Sequence, residues 1–394
     1  MNHTAPPDFT APPDSTAPPD FTTRPDLAAR IFGGGVVYAN DEFFAAAESL
    51  VAPASPTYAP HTFGAKGQVY DGWETRRRRE PGHDHAIVRL GAAGVVRGVV
   101  IDTSFFTGNF PPLASVEGCG MEGYPSPAEL AGADWIPLLE PSPLAGDSRN
   151  CFPVDAPSRL THVRLSIYPD GGVARLRVHG DVVPDPRLLP GGFVDIAASE
   201  HGGRVVASSN AFYGSPDNLL APGLAATMGE GWETARRRDD GNDWVLVRLA
   251  ARGQIRFAEL DTSHFKGNAP GAAALLACDG DPDDADAWFE LLPRTRLQPD
   301  TRHRLPVHSD RRATHVRLDV FPDGGMARLR LVGEIGADDL RALALRWLNA
   351  LPASQARAVL GGDAAADRVV AARPLAELPP SLALPDGWPS AHGR

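Results

Sequence analysis

Cysteine is scarce: Cys119, Cys151 and Cys278 are the only three, and they lie far apart in the chain. A sparse, odd set excludes a disulfide framework, matches no zinc-ligand spacing, and fits a reducing, cytoplasmic setting. Long apolar runs are missing as well. No stretch reaches the roughly 18 residues of a membrane helix, and the N-terminus has no apolar signal-peptide core, so no membrane association is expected. Positive charge is in deficit. A formal net charge of −11 removes the electrostatic reason to expect nucleic acid or an anionic membrane as partner. There is no Gly-x-Ser-x-Gly elbow, no Walker sequence and no dinucleotide fingerprint, so serine-hydrolase and nucleotide chemistry have no motif to rest on.

What the chain does have is length, turn-formers and repetition. At 394 residues it exceeds one core, and 40 glycines with 38 prolines favour short strands over long helices. The first residues repeat a hexad, Thr4-Ala-Pro-Pro-Asp-Phe, then Thr10-Ala-Pro-Pro-Asp-Ser, then Thr16-Ala-Pro-Pro-Asp-Phe. Proline this dense removes backbone donors, and a disordered tail over residues 1–26 is expected.

Beyond it, Asp71-Gly-Trp-Glu-Thr-Arg-Arg-Arg-Arg recurs as Glu230-Gly-Trp-Glu-Thr-Ala-Arg-Arg-Arg, and Asp102-Thr-Ser-Phe-Phe-Thr-Gly-Asn recurs as Asp261-Thr-Ser-His-Phe-Lys-Gly-Asn. Both pairs are offset by 159, as Trp73 to Trp232 shows. Thr161-His-Val-Arg-Leu matches Thr314-His-Val-Arg-Leu at offset 153, so the intervening loop is six residues shorter in the second copy. A period this long is a duplicated domain, not a solenoid. The copies are expected over residues 27–183 and 190–335.

Each copy reads as β. Residues 86–90 and 95–102 are apolar runs joined by a Gly-containing turn. Residues 163–168 and 173–178 alternate apolar and polar side chains across Pro169-Asp-Gly-Gly172, a hairpin signal. The expectation is all-β: two tandem jelly-roll β-sandwiches. Residues 338–351 carry a leucine stripe of helical period, and 354–360 a second, within a helical and Pro-rich extension over 336–394.

Candidate chemistry gathers in three places. Four consecutive arginines ordinarily mean a solvated face, yet here the run follows Gly-Trp-Glu-Thr in both copies. A guanidinium fork suits a carboxylate, which makes Arg77, Arg78 and the matching Arg236 candidates. His83-Asp-His85 could, with carboxylates from elsewhere, hold a divalent metal, although a polar loop entry or a general acid/base fits these residues too. No motif calls for a cofactor. Asp102, Thr103 and Asn109, with Asp261, His264, Lys266 and Asn268 in the second copy, sit at a strand end. There they cap a turn or line a polar pocket.

Asp71-Gly-Trp-Glu-Thr-Arg-Arg, Pro81-Gly-His-Asp, Asp102-Thr-Ser-Phe-Phe-Thr-Gly-Asn-Phe-Pro-Pro, and Thr161-His-Val-Arg to Ala174-Arg-Leu-Arg together closely resemble the allantoicase family. Phe43-Phe-Ala-Ala-Ala-Glu and Phe212-Tyr-Gly-Ser-Pro-Asp-Asn-Leu look like that family's copy openings. The resemblance implies galactose-binding-like jelly rolls and hydrolysis of allantoate to ureidoglycolate and urea, with a homo-oligomer expected. His85 departs from it, because an aromatic residue is expected there. Expelling urea needs a cation for the substrate carboxylate, an acid/base, and amide-recognising groups. Arg77 or Arg78 supplies the first, Glu74, His83 or Asp102 the second, and Thr103 and Asn109 the third, with Glu233 as the counterpart of Glu74. The first copy alone has His83, Arg76, Phe105 and Phe110, and is the expected seat of the chemistry. The alternative is a tandem ligand- or glycan-binding protein without catalysis, because this scaffold often only binds.

Overall fold

The computed structural model describes residues 19–189 and 192–382. Two β-sandwiches of the same design follow one another, each organised on one long strand, Asp84–Asp102 in the first and Asp243–Asp261 in the second. The first half of Asp84–Asp102 pairs with Gly35–Ala39 and Arg159–Tyr168. Its second half pairs with Arg175–Val182 and Arg149–Pro153. Leu113–Cys119 and Ile136–Pro143 complete the first of these sheets beyond Arg159–Tyr168. The turn expected after residue 90 is therefore a bend inside one strand. Gly91 and Gly94 make the bend by letting other backbone press close, since a Cβ on Gly91 would come within 2.5 Å of Phe32 and Gly34.

The expected hairpin is also corrected. Arg159–Tyr168 and Arg175–Val182 lie on either side of Pro169-Asp-Gly-Gly172 but pair with different halves of the long strand. The apolar face of each is fully buried and most of the opposite face is covered as well, and the link carries the chain from one sheet to the other. Its end, Gly172–Val173, pairs with Trp73–Glu74. The second copy repeats this with Gly325–Met326 and Trp232–Glu233.

Trp73 and Trp232 are both fully buried, each in its own core. Each indole N–H donates to a carbonyl at 2.8 Å, Asp41 in the first sandwich and Asn210 in the second, so neither ring buries an unmet donor. The six residues missing from the second copy fall after Cys278. There a 3-10 turn, Ala285–Ala287, replaces the Ser126-capped helix Pro127–Ala131.

Two expectations about the ends change. Part of the expected tail is structured: Asp20–Thr23 is a 3-10 helix whose Phe21 is buried where a Cβ at Gly98 would collide with its ring. The phenylalanine of the third hexad thus gives the proline-rich tail an anchor; residues 1–18 lie outside the described residues. At the other end three helices form, Ala337–Ala350, Ala353–Val359 and Ala364–Ala371. The first bridges the molecule: Leu340, Leu343 and Ala344 join the second core, while Trp347 and Leu348 pack with Val95 and Val183 of the first sandwich. Among the described residues no helix is long and apolar enough to cross a membrane.

Candidate active site

Glu74 is held by its backbone on both sides, and its side chain by one hydrogen bond. Its N–H donates to Ala45, its carbonyl accepts from Phe44 and Ala45, all at 3.2 Å, and it pairs with Gly172 on the other side. The carboxylate accepts a 2.7 Å hydrogen bond from the Asn109 amide. Burial raises the Glu74 carboxyl above its ordinary value, and the Asn109 hydrogen bond offsets part of that rise.

Aromatic rings stand beside it. Tyr70 lies 5.0 Å from the buried Phe106, and Tyr58 stacks at 5.6 Å on Phe105 and 6.1 Å on Tyr70. The Tyr70 phenol is pushed up by burial, then by Tyr58 and by the Glu74 charge, which places it in the field of the carboxylate. Phe105 adopts φ 69°, a left-handed conformation that a bulky side chain rarely takes and that marks local strain. Two cations complete the rim. Arg76 pairs with Asp41 at 2.7 Å and lies 5.3 Å from the Phe43 ring centroid, while Lys66 sits 4.6 Å over the same ring.

The second sandwich keeps the carboxylate and amide and loses the surroundings. Asn268 donates to Glu233 at 2.5 Å and to the Met228 sulfur at 3.4 Å. Ala235 replaces Arg76, Gly229 stands at the position of Tyr70, and the chain has 11 residues between Leu220 and Trp232 against 21 between Val51 and Trp73. The ten extra residues supply Tyr58 and Lys66. Sequence reasoning missed them, although the signal was present: Phe43 to Phe212 is an offset of 169, not 159.

The buried Arg175 fixes this longer loop. Its guanidinium donates to the carbonyls of Ala54 and Asp71 and pairs with the Asp71 carboxylate at 2.9 Å, so it clips both ends of the segment. Its counterpart Arg328 donates to Gly223 and Glu230.

Among the described residues, none of the other expected residues bonds the Glu74 carboxylate. Arg78 is turned inward onto the buried Asp84 at 2.6 Å, as Arg237 is onto Asp243 at 2.8 Å, so these forks already hold carboxylates of their own chain. Arg77 and Arg236 are exposed and make no hydrogen bond or ion pair with a described residue. Asp102 and Asp261 each accept from the backbone two residues on, at 2.9 and 2.8 Å. Thr103 gives its hydroxyl to Ala145 and Ser148, and Thr262 to Gln298 and Thr301. These four build the turn that carries Asn109 or Asn268. His264 bonds the Ala225 carbonyl at 2.9 Å, and Lys266 is exposed, 3.9 Å from Asp300. His83 lies against His85 and Tyr168 at the rim of a separate cavity with Glu117 and Arg164. No cluster of three or more metal-ligating side chains exists among the described residues.

Comparison with known proteins adds the family. A family model described as Allantoicase repeat matches residues 25–183 and again 194–336. A probable allantoicase of Nocardia farcinica is 57% identical over 312 residues, spanning 78% of this chain and 94% of that protein. One of Streptomyces coelicolor is 49% identical over 332 residues, spanning 81% and 88%. A crystal structure of allantoicase from Saccharomyces cerevisiae superposes with a TM-score of 0.69 at 35% identity, covering 78% of this chain and 92% of that one.

Proposed function

The chain belongs to the allantoicase family, and from that premise we propose that its chemistry takes place at the Glu74–Asn109 pocket of the first sandwich. The reaction is hydrolysis of allantoate to ureidoglycolate and urea in purine catabolism. Allantoate carries a carboxylate and two ureido groups on one carbon. As the C–N bond to one ureido group breaks, the leaving nitrogen takes a proton, and the lone pair of the remaining ureido nitrogen forms an imine. Water then adds to that carbon and yields ureidoglycolate.

Protonated Glu74 gives the proton to the leaving nitrogen, and its carboxylate takes one back from the adding water. The raised Glu74 carboxyl is the observation that carries this role. The Asn109 amide orients the carboxyl and recognises a ureido oxygen, while Tyr58, Tyr70 and Phe105 shield the reacting carbon from bulk solvent. Arg77 takes the substrate carboxylate, since its fork is unoccupied. Incubating the protein with allantoate and assaying urea tests the activity, and binding without urea release would instead favour a tandem binding protein.

Arg77→Lys is expected to lower kcat/KM by about 10- to 100-fold although the charge is kept, because an ammonium cannot replace two parallel charge-assisted hydrogen bonds. Wild-type kinetics in that variant would move the carboxylate site to Arg76 or Lys66. A cytoplasmic setting, which three unpaired cysteines support, and a homo-oligomer, which the exposed Phe212 and Tyr213 support, belong to the same reading. Light scattering that gives one chain mass at working concentration would remove the oligomer.

A further inference from the structure

The two sandwiches and the helix Ala337–Ala350 meet around a cavity of about 330 Å³ that shares no lining residue with the Glu74 pocket. Arg24, Arg97, Arg204, Arg248 and Arg346 line it, with Asp181 as its one carboxylate. Asp181 is already engaged, by Arg24 and by Arg97 at 3.0 Å. Five guanidinium charges against one carboxylate leave four positive charges uncompensated in the lining of a protein whose net charge is −11.

The side chains of Arg204, Arg248 and Arg346 make no hydrogen bond or ion pair with any described residue, and the Nε groups of Arg204 and Arg248 are buried without a partner. Buried donors left unmet, and like charges placed opposite each other on neighbouring strands, are both destabilising. Arg204 and Arg248 are direct cross-strand partners, and Arg248 in turn faces His315. The fold does not impose this pairing, because Gly35 stands opposite Arg89 at the same place in the first sandwich. Burial holds Arg248 below its ordinary value, with Arg204 and Arg346 adding to the effect.

We propose that this cavity binds a compact polyvalent oxyanion of the phosphate class, held by Arg204, Arg248 and Arg346. The oxygens of a tetrahedral oxyanion accept from several guanidinium forks at once, and three forks lining one cavity from two strands and a helix suit that geometry. Arg204 and Arg248 belong to the second sandwich, Arg346 to the bridging helix, and Arg97 of the first sandwich lines the same space. A bound anion therefore ties the three parts together.

The test is calorimetric titration of the full chain with inorganic phosphate in low-salt buffer, beside thermal melts in phosphate and in chloride of matched ionic strength. Saturable phosphate binding is expected, with a rise in Tm that chloride does not give. The double variant Arg204→Met, Arg248→Met is expected to bind phosphate at least about tenfold more weakly, the loss of charge-assisted hydrogen bonds. Without phosphate it should melt at or above the wild-type temperature, because the repulsion is gone. Should the double variant not fold, Arg346→Ala, on the helix surface, is expected to weaken phosphate binding by a similar factor. An absence of saturable binding to the wild type, or unchanged binding in the variant that folds, would overturn the proposal.

Discussion

Glu74→Gln is expected to lower kcat for urea release by about 10²- to 10⁴-fold, the range general acid–base catalysis contributes, while Glu233→Gln stays within a few-fold of wild type. Glutamine keeps an oxygen for the Asn109 amide, so the 2.7 Å hydrogen bond and the fold survive and only the transferable proton is lost. Circular dichroism of both variants establishes the second point before kinetics are read. The pH profile checks the same assignment. Burial favours the neutral carboxyl of Glu74, so the fraction able to donate is greatest below its raised value. That fraction falls as pH climbs through the raised value, and kcat/KM should decline on that alkaline side. The Glu74→Gln variant should lose the limb. Equal damage from Glu74→Gln and Glu233→Gln would mean a site shared between the copies.

Arg175→Met should cost about 1.5–3 kcal/mol of stability, the usual worth of hydrogen bonds made by a charged group, since Arg175 is buried while its partner Asp71 is partly open to solvent. It should also remove most activity. The activity loss follows from position: Arg175 holds Ala54 and Asp71, and the loop between them carries Tyr58, Lys66 and Tyr70. Arg328→Met, at the equivalent place in the second sandwich, where the carboxylate of Glu230 lies 4.0 Å away, should destabilise somewhat less in a denaturant melt and spare turnover of the protein that remains folded. The pair has a pH signature too. Burial alone would raise Asp71, but hydrogen bonds from Arg175 and Thr57 together with the Arg175 charge hold it below the ordinary carboxylate value. Its contribution is thus complete above that ordinary value and is lost as pH falls through the depressed one. In Arg175→Met that part of the acid sensitivity should be missing. If activity persisted in a folded Arg175→Met protein, the Tyr58–Tyr70 loop would have no part in the reaction.

How far the residues alone could lead is clearest at Trp73. A tryptophan recurring with its neighbours at offset 159 marks one core position used twice, and both rings are fully buried. Pairing was harder to read. The alternation in residues 163–168 and 173–178 says which face of each strand is covered, but the neighbour that covers it depends on the whole sandwich. That is why a hairpin motif turned out to be a crossover between sheets. Gly91 and Gly94 misled for a related reason, since close backbone approach and a turn ask for the same residue.

At the site, Glu74 and Asn109 lie 35 residues apart in sequence, and the repeat blocks singled out both, though nothing in either block says that they touch. Arg78 shows the opposite limit. A fork suited to a substrate carboxylate is equally suited to Asp84, six residues away, and chemistry of type alone cannot choose between them. The aromatic loop was legible in principle, as an insertion between Val51 and Trp73, once the copy openings were aligned as carefully as the tryptophan blocks. The cavity between the sandwiches was not legible at all, because its arginines come from three separate packing units.

The most direct test of the account is crystallographic: the Glu74→Gln protein soaked with allantoate, which it should bind and not turn over. The expected density places the substrate in the first sandwich, with a ureido nitrogen beside residue 74, a ureido oxygen at Asn109 and the carboxylate at Arg77. Density seated instead beside Glu233 and Asn268, with the Glu74 pocket empty, would contradict it.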